Sequence, residues 1–189
     1  MSQDLHIHTT FSTGDSAIVP EQTIKLIART GHARILGISD HLEYLDDNVF
    51  SLYKETIQKY GLRVGTEINS HKWVKRVLEL DVEYYIYHCQ NIAKDYRGAE
   101  KLLQSEKPLI IAHPMVMGTD LNKLPSECLI EINNRYVWRD NWSQKIGCFK
   151  NRFRFVLSSD AHQPHWLNQI IARYVADNLV IKETILFNN

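Results

Sequence analysis

Short apolar and β-branched runs recur along the chain, each closed by turn residues and most separated by stretches of helical spacing. The runs lie near residues 3–8, 34–39, 62–68, 83–88, 108–113, 128–133 and 153–159. Pro20 to Arg29 predicts a helix, with Pro20 at a first-turn position, apolar residues at 24, 26, 27 and 28, and Gly31 as its stop. Residues 49–60, 71–80, 91–105 and 165–176 carry the same period. The stretch 114–127 reads as a loop with one helical turn, and 138–151, with two tryptophans, as an irregular helix. Strands that alternate with helices imply a parallel sheet. Seven βα units in 189 residues imply a compact α/β barrel with few insertions. No Pro/Gly/Ser linker or charge run interrupts this rhythm, which predicts a single domain over residues 1–189.

Composition narrows the function only slightly. Lys+Arg and Asp+Glu both number 22, so the formal net charge is zero, which argues against a dedicated nucleic-acid binder. The N-terminus lacks a basic segment followed by a long apolar one, and no stretch reaches membrane-spanning length. The expectation is a cytoplasmic protein with no membrane partner. Three irregularly spaced cysteines fit reduced thiols. Cys128 reads as core. Cys89, next to His88, reads as a buried structural thiol, with an approach to a metal as the minor reading.

The histidines carry the chemistry. Six of nine fall at or just past the ends of the apolar runs: His6, His8, His41, His88, His113 and His162. A carboxylate, Glu67, closes the third run. In βα barrels the active site lies at the C-terminal mouth of the strands. Imidazole and carboxylate delivered there repeatedly are the makings of a metal centre. His6 and His8, two apart on a strand, share a face and can bind one ion. Asp4 shares that face one step deeper, where it is expected to hydrogen-bond a liganding imidazole. Glu67 has two oxygens and can bridge two ions, a known hydrolytic device. Asp160 and His162 form a second i, i+2 pair. His88 and His113 come from the fourth and fifth strands. Of the neighbours Asp40 and His41, only one can face the same way.

Asp4-Leu-His-Ile-His-Thr9, Ser39-Asp-His41, Gly65-Thr-Glu67, Ala112-His-Pro114 and Ser159-Asp-Ala-His162 together resemble the PHP (polymerase and histidinol phosphatase) family, across residues 4–162. The resemblance implies a distorted (β/α)7, TIM-like barrel with its metal site at the C-terminal ends of the strands. It also implies three divalent metal ions (zinc, manganese or iron) and hydrolysis of phosphate esters. Carried over, one metal takes His6, His8, Glu67 and Asp160. The second shares Glu67 and takes His88 and His113. The third takes His41 and His162 with a residue after the first strand, for which Asp15 in Ser12-Thr-Gly-Asp-Ser16 is the candidate, in a shifted register.

From this follows an expected phosphoesterase acting on a phosphomonoester or small nucleotide, with a small phosphorylated substrate as partner. Three divalent ions outweigh the carboxylates of Asp15, Glu67 and Asp160, and the excess matches a phosphate dianion plus hydroxide. A hydroxide bridging two metals is the expected nucleophile, and His41, His162 or a metal-bound water the expected acid. Asn133 and Arg135, past the sixth strand, are candidate substrate contacts, arginine being suited to phosphate oxygens. His71, Lys72 and His165 read as solvated rim or helix residues. The alternative is a nuclease-like phosphodiesterase or polymerase-associated module acting on nucleic acid. An amidohydrolase-type barrel lacks its strand-end lysine here, and a metal-free scaffold should have lost ligands. Sequence leaves substrate, metal identity and oligomeric state open.

Overall fold

Each apolar run becomes a strand in the computed structural model, which describes residues 1–187. The strands are β1 (Gln3–Asp4), β2 (Ile35–Ile38), β3 (Arg63–Ile68), β4 (Tyr84–Tyr87), β5 (Leu109–Ile111), β6 (Leu129–Asn133) and β7 (Arg154–Ser158). They lie in sequence order in one parallel sheet. At the mouth the first and last strands meet: Asp160 N donates to His6 O at 2.9 Å, and His8 N to Ala161 O at 2.9 Å. The sheet is therefore a nearly closed α/β barrel, and the residues that close it flank or belong to the predicted ligand set.

Helices fill the connections: α1 (Ile24–Thr30), α2 (Asp47–Lys59), α3 (Val74–Leu78), α4 (Ala93–Leu103), α5 (Pro114–Met117), α6 (Trp142–Lys145) and α7 (Ile170–Leu179). The first starts later than its proline suggests. Thr23 caps it by accepting from Leu26 N, and Pro20 belongs to the preceding turn. Gly31 ends it at φ 54°, a left-handed conformation that glycine adopts without steric cost. The last helix begins five residues beyond its predicted start. Pro164–Trp166 is a separate 3₁₀ turn, because Leu167 and Asn168 leave the helical region before Ile170. The stretch 138–151 breaks into short turns around α6 rather than one helix.

Two apolar layers result. The larger packs the helices against the outside of the sheet, and contains Ile27, Tyr53, Ile57, Val77, Leu102 and Val175. The smaller fills the barrel below the mouth with Leu5, Tyr84, Ile86, Ile110, Leu129 and Val156. Tyr84 occupies this interior only because β2 and β3 offer it glycine: a Cβ on Gly65 would lie 2.2 Å from its ring, and one on Gly37 2.3 Å from its hydroxyl. That hydroxyl donates to Leu5 O at 2.7 Å. Residues 185–187 pack against the lower end of this plug. Their chain is tied to β1 by Leu186 N donating to Gln3 Oε1 at 3.1 Å. Among the described residues no helix is long and apolar enough to cross a membrane.

Candidate metal centre

Glu67, the last inward-facing residue of β3, sits buried among five imidazoles. Its carboxylate lies 3.2 Å from His6 Nε2, 3.3 Å from His8 Nε2, 2.9 Å from His41 Nδ1, 2.5 Å from His88 Nε2 and 3.6 Å from His113 Nε2. Asp160 Oδ1 adds a second carboxylate, 3.7 Å from His6 Nε2 and 3.6 Å from His8 Nε2. Three overlapping groups can each hold a cation: His6, His8 and Glu67; Glu67, His88 and His113; and His8, His41 and His162. Asp15 reaches the last group despite its shifted register, with Oδ2 3.0 Å from His162 Nε2 and 3.5 Å from His41 Nε2. His8 belongs to two groups, an overlap that strand-end counting does not reveal.

The hydrogen-bond chemistry fits cations. His6 Nδ1 faces Glu131 Oε1 at 2.7 Å and must carry a proton to donate there. In a neutral ring His6 Nε2 is then a lone pair, aimed at the Glu67 carboxylate and at His8 Nε2 only 3.1 Å away. Lone pairs converge in this way only around a proton or a metal ion. The Nδ1 atoms of His8, His41 and His113 are buried and have no hydrogen-bond partner. His41 Nδ1 is close to Glu67 yet lacks hydrogen-bond geometry toward it, which suits two donors aimed at a common cation. These donors, imidazole nitrogen and carboxylate oxygen, accept zinc, manganese and iron alike.

Without a cation the charges redistribute. Burial works against a charged His6, but Glu131, Asp160 and Glu67 outweigh it and raise its pKa. His41 is pushed up to about 11, burial being overcome by Glu67 and Asp15. His8 moves the other way, through burial and its neighbours His162 and His41. Burial also lowers His162, although Asp160 and Asp15 pull upward. Burial acts to raise Glu67, and the imidazoles of His88, His6 and His41 hold it well below the usual carboxylate range.

Backbone strain marks two of the candidate ligands. His113 has φ 25° and Asp160 φ 53°, a region that costs a residue with a side chain about 1 kcal/mol or more. Each is held by a buried hydrogen bond: His113 N donates to Glu131 Oε2 at 2.6 Å, and Asp160 N to His6 O. Glu131 thus anchors the ring of His6 and the backbone of His113. Sequence reading passed it over, although its place two residues before Asn133 on an inward face was visible.

The structure corrects the expectation for Asp4. Its carboxylate turns away from the ligand rings, to His32 Nε2 at 2.9 Å and Ser159 N at 3.0 Å. Strand β1 ends at Asp4 and the chain changes pitch before His6, so the expected shared face is lost. Asp40 is the non-ligand of its pair. It accepts from Thr9 N, Thr9 Oγ1 and Ser12 Oγ at 2.6, 2.6 and 2.7 Å, and fixes the loop that carries Asp15. Asn133 is buried and donates to Glu131 and Asp160 at 3.0 and 3.1 Å, so it orients carboxylates rather than meeting a substrate at the rim. Arg135 does lie at the rim. Its guanidinium sits between the rings of Tyr136 and Trp166, 4.9 and 4.8 Å from their centroids, with Nη1 3.2 Å from His162 Nδ1 and 3.8 Å from Asp160 Oδ1. Cys89 lies in the outer core with its thiol pushed up to about 12 by burial, and takes no part. His71 pairs with Asp95, and His165 lies edge-on to Trp166.

No family model matches the chain, and no curated protein matches it. Among solved structures it resembles a truncated form of 3-deoxy-D-arabino-heptulosonate 7-phosphate synthase from Thermotoga maritima. The TM-score is 0.52 at 13% identity, over 95% of this chain and 73% of that one. At that identity the likeness shows the α/β barrel alone. The functional expectation is not upheld by it. The similar structure is a synthase, so the assignment to phosphomonoester or nucleotide hydrolysis, with its nucleic-acid alternative, does not stand.

Proposed function

We propose that this chain is a metal-dependent enzyme acting on a small anionic substrate at the barrel mouth. The observation that carries the reading is the Glu67 carboxylate ringed by His6, His8, His41, His88 and His113. Neutral rings leave their lone pairs facing one another around Glu67, and protonated rings would set several cations side by side in one buried pocket. Divalent ions resolve that conflict. Bound there, they supply Lewis acidity toward a substrate oxygen and make water more acidic.

The residues of the chain do the rest. His6, His8, Glu67 and Asp160 form one holding group, Glu67, His88 and His113 a second, and His41, His162, His8 and Asp15 a third. With one to three ions so held, the PHP resemblance stands as a proposal about ligand order and not about reaction. Asn133 and Glu131 keep the carboxylates and His6 in register. Arg135, within cation–π distance of Tyr136 and Trp166, turns Nη1 toward His162 and Asp160, where it is placed to bind a substrate oxyanion. His41 and His162 line the same side and are the rings able to pass a proton to or from a substrate held there.

The test is metal analysis of protein purified without chelators, beside Glu67→Gln and His113→Ala, with circular dichroism as the folding control. The reading expects bound zinc, manganese or iron in the native protein and its loss in both variants. A native protein that binds none of these metals in titration overturns it.

A further inference from the structure

We infer that the outer face of the barrel carries a second site, separate from the mouth, for a small multiply charged oxyanion of the polyphosphate type. Helices α3 and α4 lie side by side there and enclose a groove of about 360 Å³. One wall is His71, Val74, Lys75 and Leu78, and the other is Lys94, Arg97, Gly98 and Lys101. Lys94, Arg97, Gly98 and Lys101 follow the i, i+3, i+4, i+7 spacing of one face of α4, and His71, in the 3₁₀ turn before α3, continues the wall made by Val74, Lys75 and Leu78. Together they bring four cations into one groove of a chain whose formal net charge is zero.

Among the described residues Lys75, Lys94, Arg97 and Lys101 form no ion pair, as is true of most of the chain's lysines and arginines; what sets these four apart is that they share one groove. On α4 the like charges at 94, 97 and 101 are i, i+3 and i+4 neighbours, which costs a few tenths of a kcal/mol per pair on an isolated helix. An anion in the groove reverses that sign.

The groove also has a built end. Asp95 is 1% exposed and its Oδ1 lies 2.7 Å from His71 Nδ1, while it accepts from His71 N at 3.1 Å and its Oδ2 accepts from Gln90 N at 3.0 Å. The Asp95 carboxylate is thus consumed in fixing the imidazole. Nδ1 faces Asp95, and the other ring edge is left for a ligand. The size of the site favours a small molecule over a protein segment. Helix α3 is five residues long, about 8 Å at the helical rise per residue. That suits a chain of two or three phosphate units, and falls far short of the roughly 1,000 Å² of a specific protein interface.

Isothermal titration with inorganic tripolyphosphate tests this on wild type, on Lys94→Glu/Arg97→Glu and on His113→Ala. Both groove residues are exposed, and the milder Lys94→Gln/Arg97→Gln pair stands in if charge reversal impairs folding. The expectation is one saturable site in wild type, weakened by added salt, retained in His113→Ala, and weaker by about tenfold or more in the groove variants. Equal binding in the groove variants would place the anion at the metal mouth and overturn the proposal. So would absence of binding to wild type, or tighter binding of an oligo-glutamate peptide, which would make the groove a protein-docking surface.

Discussion

Glu131 holds His6 by its ring and His113 by its backbone at the same time, with Oε1 2.7 Å from His6 Nδ1 and Oε2 2.6 Å from His113 N. Only an ionised carboxylate can accept on both sides. Glu131→Gln keeps the shape but turns an N–H toward one of the two donors. Such outer partners of metal ligands are worth about 10–100-fold in metal affinity. We expect Glu131→Gln to fold and to bind zinc or manganese that much more weakly in a competition titration against a chelator. An unchanged affinity would sink the anchoring role.

Proton release provides an independent check. In the metal-free protein the raised pKa values of His6 and His41, the latter about 11, leave both rings protonated at neutral pH. His8 and His162 are lowered and already neutral. Ligation needs neutral rings, so loading should release protons from His6 and His41, and metal affinity should climb as pH rises. Stability follows with the opposite slope. A raised folded pKa contributes stability that is complete below the unfolded value of 6.5 and fades as pH rises toward the folded value. The metal-free protein should lose stability above pH 6.5, and the loaded protein should not. Calorimetric loading in buffers of different ionisation enthalpy counts the protons, and a count of zero would refute this charge assignment.

Much of this was legible in the chain. Strand number, order and parallel sense follow from seven apolar runs separated by helical spacing, and every strand-end histidine arrives at one mouth. Less accessible was anything set by the path between elements. Asp4 leaves the ligand face because β1 stops at two residues, and the period-2 rule needs a continuing strand. Asp15 sits on a loop whose course is fixed by Asp40, Thr9 and Ser12, contacts 28 or more residues apart in sequence. Glu131 lacked a motif of its own, so its role emerged only once barrel closure brought His6, just past β1, to within hydrogen-bond distance of β6. Reaction type was not legible at all, since one ligand set serves several chemistries.

The plug beneath the centre makes a separate claim about packing. Gly65 and Gly37 give up their side-chain space to Tyr84. Gly65→Ala puts a methyl into that ring, and overpacking of a filled interior costs about 1–3 kcal/mol. Thermal melts should show that loss for Gly65→Ala. The double variant with Tyr84→Leu should be less destabilised than the two single effects added together. Strict additivity would mean that the glycine is not there to admit the tyrosine.

Asp160 separates backbone strain from ligand charge. Its φ of 53° suits asparagine nearly as well as aspartate, and suits alanine less. The backbone contacts that fix it, Asp160 N to His6 O and the 2.9 Å contact of its own carbonyl with His162 Nδ1, do not depend on the carboxylate. Asp160→Asn should therefore keep the left-handed turn and lose, without metal, only what its charge contributes opposite His6. Asp160→Ala should lie about 1 kcal/mol lower, the cost of a left-handed conformation for an ordinary side chain. Both variants lose the carboxylate charge that faces His6, His8 and Arg135, so both should bind metal more weakly. Melts of the two metal-free variants beside a metal titration resolve the roles. If Asp160→Ala binds metal as wild type does, Asp160 shapes the turn and is not a ligand.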